Sequence, residues 1–233
     1  MYSNKSYFEL KWLCVCYNSN ERCEIIMTTL YLIRHSKSLK VNNNSNKDSL
    51  QIQNEKSSLS VEGENIAREK MNNMELSNID IIYSSNYVRT IQTAKYLAKK
   101  NNLEIHVDSE LGERKFGIDS WDELPEGFEK RQVIDENYKI GNGESQVEVR
   151  KRMYSAIMRI LNDNRGKRIA VFSHATAIAF LLKQWCSIEI SEGKGNVKFN
   201  GNTVFNDTLN YCVSFKLEFD DENNLVGIIG MNL

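Results

Sequence analysis

The 233-residue sequence predicts an α/β fold: a three-layer sandwich with a mostly parallel central sheet flanked by helices and antiparallel strands near the C-terminus. Three observations carry this. Short, apolar, β-rich runs alternate with stretches of helical periodicity, which is the pattern of a parallel sheet covered on both faces. The chain is long enough to bury a real core. Its C-terminal third breaks the alternation, and Tyr211 to Met231 reads as an antiparallel closing pair.

The elements follow in order. Thr28 to Ile33 is a buried strand. Residues 41–58 are rich in Asn, Ser and Lys and read as an exposed loop. Ser60 offers an N-cap to a helix whose inward face is Ala67, Met71 and Met74. Ile79 to Tyr83 is a second strand. Ser85 caps the next helix, with Tyr87, Ile91, Ala94 and Ala98 inward, and Leu103 to Val107 is a third strand. Residues 108–143 carry the sole proline, Pro125, and many charges; a stretch this irregular inside a compact domain reads as a functional insertion. Ser145-x-x-Glu148 is a capping box that opens a long helix with Val149, Met153, Ala156 and Ile160 inward, and Gly166 ends it. Arg168 to Phe172 is a fourth strand, and Ala177 to Cys186 an apolar helix. Tyr211 to Phe219 alternates, Asp220–Asn224 turns, and Leu225 to Met231 completes a closing hairpin.

Composition narrows the function classes. Lys plus Arg number 30 against 31 Asp plus Glu, a net charge of −1, which argues against a general nucleic-acid binder and leaves room for a local basic pocket. No apolar run approaches the ~18 residues of a membrane span. The five cysteines include no CxxC pair; free thiols in a reducing compartment, the cytoplasm, fit that pattern. Cys14 to Cys23 could bind a metal, but no His lies near, and incidental thiols are the better reading. Residues 1–26 look unlike the rest and carry no targeting logic, so they are read as an extension, with Met27 as a candidate start and 27–233 as one domain.

Ligands of such sheets bind beyond the carboxyl ends of the strands. The first strand ends in Arg34-His35-Ser36, the second in Ser84-Ser85 with Arg89 a turn further on, and the fourth in Ser173-His174. Two of the three histidines therefore fall at strand ends; the third, His106, reads as a half-exposed strand residue. Two His and two Arg beside helix N-termini favour a phosphate dianion. A neutral imidazole can attack phosphorus, and guanidiniums can hold the oxygens as charge builds. No carboxylate cluster faces that edge, so metal ligands are not evident.

In these segments the chain resembles the histidine phosphatase (phosphoglycerate mutase-like) superfamily. The likeness runs through Leu32-Ile-Arg-His-Ser36, Leu59-Ser-Val-Glu-Gly63, Tyr83 to Ala94, Leu111 to Gly117, Gly143-Glu-Ser145 and Val171-Phe-Ser-His-Ala175, in order, over about residues 28–185. The resemblance implies His35 as nucleophile, a phosphate pocket of Arg34, Arg89 and His174, and Glu113 as proton donor and then base toward water. Glu110 lies close by, and the Leu-x-Glu-Arg-x-x-Gly context favours Glu113. Ser38 and Ser173 are either helpers or ordinary caps. Phe116, Trp121, Phe128 and Tyr138 either wall the substrate or pack the loop.

There are departures. Ser36 and Ala175 replace glycines, Val41 stands where an Asn is usual, and 41–58 holds no substrate-gripping Arg, although Lys47 or Lys56 could serve as point charges. That absence favours net hydrolysis of a small phosphorylated metabolite, without cofactor, over mutase-type transfer or a non-catalytic phosphate-binding role. Neither substrate identity nor oligomeric state is written in the sequence.

Overall fold

The computed structural model describes residues 26–39, 48–191 and 194–233. The first strand, β1 (Thr28–Arg34), lies at the centre of a six-stranded sheet. Its side chains alternate between two buried clusters, which is what places helices on both faces. Leu30 and Leu32 join the cluster under the helices later in the chain, and Tyr31 and Ile33 join the opposite one.

After β1 come two short helices, α1 (Leu50–Lys56) and α2 (Val61–Lys70). The expected loop at 41–58 thus contains a helix. Ser49 caps it and only Leu50 is buried, so seven residues offer too little periodicity to be read. Residues 41–47 lie outside the described residues, as do Cys14, Cys16, Cys23 and the proposed extension apart from Ile26. Ser60 caps α2 as expected. Met74 does not join its inward face: the helix ends at Lys70, Met74 is exposed, and Leu76 of the following turn fills the core.

Next come β2 (Ile81–Ser84), α3 (Val88–Asn101) and β3 (Ile105–Val107). The cap of α3 is Tyr87 and not Ser85, whose hydroxyl is committed elsewhere. Its inward face is Thr93, Ala94, Leu97 and Ala98, with Ile91 only part-buried. His106 is an exposed residue of edge strand β3, its ring 5.3 Å from that of Tyr83.

The irregular stretch 108–143 includes α4 (Phe128–Ile134), anchored by buried Phe128 and Gln132 one turn apart. The capping box then opens α5 (Gln146–Asp163), with both reciprocal hydrogen bonds present. β4 (Arg168–Ser173) leads directly into α6 (Ala175–Leu182), which starts and stops earlier than its apolar run suggested.

Three strands follow that the sequence reading did not identify: β5 (Ser187–Ser191), β6 (Lys194–Phe199) and β7 (Asn202–Thr208), a separate antiparallel sheet. Their signal was Asn200-Gly201, with φ of 49° and 80°, the paired left-handed residues of a tight hairpin turn. β8 (Val213–Phe219) and β9 (Leu225–Asn232) form the expected closing hairpin.

The sheet order is β3-β2-β4-β1-β8-β9. β1 to β4 are parallel, and β8 runs antiparallel to β1. α5 and α6 cover one face through Met153, Ile157, Ile178 and Leu181. α2 and α3 cover the other through Ala67, Met71, Ala94 and Leu97. Because β1 and β4 pair Arg34 with Ser173, His35 and His174 emerge side by side from adjacent strands. Among the described residues no helix is long and apolar enough to cross a membrane.

Candidate active site

His35 leaves β1 with its backbone N–H donating to the carbonyl of Ser173 at 3.0 Å, so the strand pairing itself sets the ring's position. Its Nδ1 lies 2.6 Å from the carbonyl of Ser36. Its Nε2 accepts the Nε–H of Arg89 at 3.1 Å. A carbonyl cannot donate and a guanidinium cannot accept. The imidazole is therefore protonated at Nδ1, and its Nε2 carries the lone pair. Burial, reinforced by the charge of Arg89, drives its pKa well below the usual 6.5.

His174, one residue past β4, is fully buried, with its ring centroid 5.1 Å from that of His35. Arg89 Nη2 donates to its Nδ1 at 3.1 Å, which puts its proton on Nε2, 2.9 Å from Ser85 Oγ. The relay continues from Ser85 Oγ to Thr90 Oγ1 at 2.7 Å and from Thr90 to the carbonyl of Tyr87 at 2.6 Å. Every polar atom of that buried chain is used, as burial demands. Burial and Arg89 also hold His174 well below the usual imidazole pKa.

Arg89 thus bridges both imidazoles, and its remaining Nη1 donates to the carbonyl of Asn54 in α1 at 2.5 Å. Arg34 donates to the carbonyl of Leu209 and stacks over Tyr211 at 4.7 Å. Its Nε is buried with no partner among the described residues. Burial lowers the pKa of both arginines. Their hydrogen-bond partners are imidazoles and main-chain carbonyls, so no carboxylate is bonded to buried Arg89 or to part-buried Arg34. That arrangement fits an oxyanion.

Glu113 reaches the same edge from the loop before α4. Its Oε1 accepts the backbone N–H of Ala177 at 3.0 Å, and Oε2 accepts that of Thr176 at 3.4 Å, in the first turn of α6. A carboxylate is held well there, by free amides and the helix dipole. Glu110, by contrast, is exposed. The structure therefore brings together all five residues picked from the sequence: Arg34, His35, Arg89, Glu113 and His174.

Other expectations resolve differently. Ser173 donates to the carbonyl of Leu111 at 2.7 Å and ties the acid-bearing loop to β4. Ser38 pairs its backbone with Leu59. Lys56 pairs with Asp48 at 2.7 Å, away from the cluster, and Lys47 is outside the described residues. Phe116 contacts Trp121 and Phe128, Phe128 contacts Tyr138, and the Arg114 guanidinium lies over Phe116 and Phe128, so these aromatics pack the loop. The open groove beside the cluster, about 470 Å³, is lined instead by Arg114, Val133, Thr176, Ala179, Phe180 and Leu209. Thr90, Asn54 and Arg152 also support the site and were not named from the sequence, while Ser85 was read as a helix cap and Glu144 only as part of the Gly143-Glu-Ser motif. Among the described residues no group of three or more His, Cys, Asp or Glu side chains is placed to hold a metal.

Comparison with known proteins identifies the family and the fold. The sequence model of the histidine phosphatase superfamily (branch 1) matches residues 30–206. The probable phosphoglycerate mutase GpmB of Escherichia fergusonii is 31% identical over 134 residues, 54% of this chain and 62% of that protein. The Salmonella arizonae protein of the same name matches equally. The chain thus matches only about three fifths of the length of these curated relatives. Among solved structures, a mycobacterial glucosyl-3-phosphoglycerate phosphatase superposes with a TM-score of 0.63 at 18% identity, covering 88% of this chain and 96% of that one. A phosphoserine phosphatase from Entamoeba histolytica gives 0.60 at 19%, covering 88% and 98%. At those identities the likeness concerns the fold, an α/β sandwich with a mostly parallel sheet.

Proposed function

The chain belongs to the histidine phosphatase superfamily, branch 1, and from that premise we propose that it is a metal-independent phosphomonoesterase of small phosphorylated metabolites, working through a phosphohistidine on His35. The observation that carries this reading is the state of His35. It is a buried neutral imidazole whose Nε2 lone pair faces the Arg89 guanidinium.

The phosphoryl group would sit among Arg34, Arg89 and His174, whose donors replace water around its oxygens. Arg89 Nε–H, which now faces His35 Nε2, would turn to a phosphate oxygen and release the lone pair. Nε2 would then bond to phosphorus as the bond to the alcohol oxygen breaks, and Glu113, entering the step protonated from solvent, would give that oxygen its proton. In the second half, water attacks the phosphohistidine, Glu113 takes the water proton, and the N–P bond breaks to release phosphate and restore His35. The apolar groove beside Thr176 and Leu209 would take the organic part of the ester.

A second reading is phosphoryl transfer of the mutase type, favoured by the curated relatives, which are probable phosphoglycerate mutases. It needs a second grip on the substrate, and residues 41–58 contain no arginine to supply one. The phosphatases of similar fold support hydrolysis. The cysteine pattern suits a cytoplasmic setting.

The test is phosphate release from 4-nitrophenyl phosphate with EDTA present, wild type beside His35→Ala. Release that survives EDTA and disappears in the variant supports the reading. An unchanged rate in His35→Ala removes it. Phosphorylation of His35 by a phosphorylated donor without net phosphate release would establish the transferase instead.

A further inference from the structure

The Gly143-Glu-Ser motif lies outside the phosphate cluster, and the mechanism above does not use it. Glu144 makes a bidentate pair with Arg152 on α5: Nε to Oε1 at 2.7 Å and Nη2 to Oε2 at 2.9 Å. Both side chains are 15% exposed. The rest of the Arg152 fork is spent on the acid-bearing loop. Nη1 donates to the carbonyls of Glu110 at 2.7 Å and Gly112 at 3.1 Å, and Nη2 donates to the carbonyl of Glu113 at 3.2 Å. All five N–H groups of the guanidinium are therefore engaged, the full donor capacity of an arginine.

Glu144 completes the clamp from the other side of Glu113. Its Oε2 accepts the backbone N–H of Lys115 at 3.0 Å, and its own N–H donates to the carbonyl of Lys115 at 2.9 Å. Burial alone would lower the pKa of Arg152, yet the hydrogen bond and charge of Glu144 outweigh it and leave the pKa raised. The pair stays ionised. A buried ion pair adds little stability over apolar residues of equal volume. A pair whose remaining donors all converge on three carbonyls around one carboxylate has a positional role. Glu113 is also the residue for which a displacement of about 1 Å would cost most, since proton transfer needs hydrogen-bond contact with the leaving oxygen.

We infer that Arg152, locked by Glu144, is a positioning residue that sets the Glu113 carboxylate against the leaving-group oxygen. The inference rests on the reading of Glu113 as the acid. The clamp acts through the backbone: it fixes the carbonyls at 110, 112 and 113 and the amide at 115, while the carboxylate reaches forward to the amides of Thr176 and Ala177. Lysine cannot replace it, because an ammonium has no planar fork and at most three donors.

The test compares kcat/KM for glycerol 2-phosphate, whose alkoxide leaving group needs a proton, with kcat/KM for 4-nitrophenyl phosphate, whose leaving group does not. This ratio of rates covers only the steps through departure of the alcohol, so slow hydrolysis of the phosphohistidine does not enter. Arg152→Lys should lose about 10- to 100-fold on the alkyl ester and less than about threefold on the aryl ester. Glu144→Gln should show the same asymmetry at smaller amplitude and serves where Arg152→Lys does not fold. Glu113→Gln, run in parallel, should show it most strongly. Equal losses on both esters in a folded clamp variant, or failure of both clamp variants to fold, make the pair merely structural and overturn the inference. Equal losses in Glu113→Gln remove the reading of Glu113 as the acid, and the clamp's role with it.

Discussion

Arg89 Nε donates to His35 Nε2 at 3.1 Å, so the residue placed to hold the phosphate also fixes the tautomer of the proposed nucleophile. The two residues are 54 positions apart in the chain. One guanidinium thereby coordinates three parts of the fold: the end of β1, the end of β4 through His174, and the cover formed by α1 through Asn54.

Replacing Arg89 with Lys should therefore do more than weaken phosphate binding. The charge remains, but the fork that reaches both rings is lost. The expected outcome is a fall of about 10² to 10³ in kcat/KM, the magnitude of losing preorganised donors to the transferring group. Steady-state kinetics on 4-nitrophenyl phosphate, with circular dichroism to show an intact fold, checks it.

The two buried histidines should make stability depend on pH. His35 and His174 both have pKa values driven well below 6.5, chiefly by burial and then by Arg89. In the unfolded chain they take up protons below about 6.5, where the folded chain does not, so the unfolded state binds more protons and acid favours it. The stability they contribute is complete above pH 6.5 and is lost progressively below it. Thermal melting between pH 7.5 and 5 should show a falling Tm, with a shallower slope in His174→Asn. An equal slope would assign the acid sensitivity to other groups.

Gly63 should not tolerate alanine. A Cβ there would stand 1.9 Å from the carbonyl oxygen of Lys37, and that oxygen belongs to the segment leading away from His35. Ser36 Oγ donates to the Gly63 carbonyl at 2.7 Å, which draws the same two backbones together. Gly63→Ala must push them apart, at about 1–3 kcal/mol by analogy with overpacked cores. Chemical denaturation measures the loss, and turnover should drop with it because the nucleophile's segment moves.

Ser85→Ala removes the acceptor for His174 Nε2–H, which lies 2.9 Å away in a fully buried setting. The orphaned donor should cost about 1–3 kcal/mol. His174 would then be free to change tautomer, and Arg89 would lose its acceptor on that ring. Activity should fall while His35→Ala remains the more severe variant. Denaturant titration beside turnover separates the two effects.

Much of this site was legible in the sequence, because local rules place it. The β-rich runs at 28–33 and 168–172 end at His35 and His174 whatever the rest of the chain does, and a parallel sheet puts its ligands beyond those ends. The capping box at Ser145 and the helical faces of α5 were equally readable, since caps and periodicity act within one turn or two. Short elements escaped for the same reason. α1 and α4 have seven residues each, below the length at which a 3.6-residue period declares itself.

Local sequence rules were enough for the sandwich and for the strand ends that carry Arg34, His35, Arg89 and His174, whereas Glu113 was reached only through the family resemblance. Tertiary structure alone decided how they are held. Ser85 became a partner of His174 and not a helix cap, and the Gly143-Glu-Ser motif became half of a clamp on the loop of Glu113. The physical reason is range. Propensity, capping and periodicity are properties of neighbouring residues, whereas a buried donor takes whatever acceptor the packed fold brings within 3 Å. For the Arg89 guanidinium those acceptors were the rings of His35 and His174, 54 and 85 residues away.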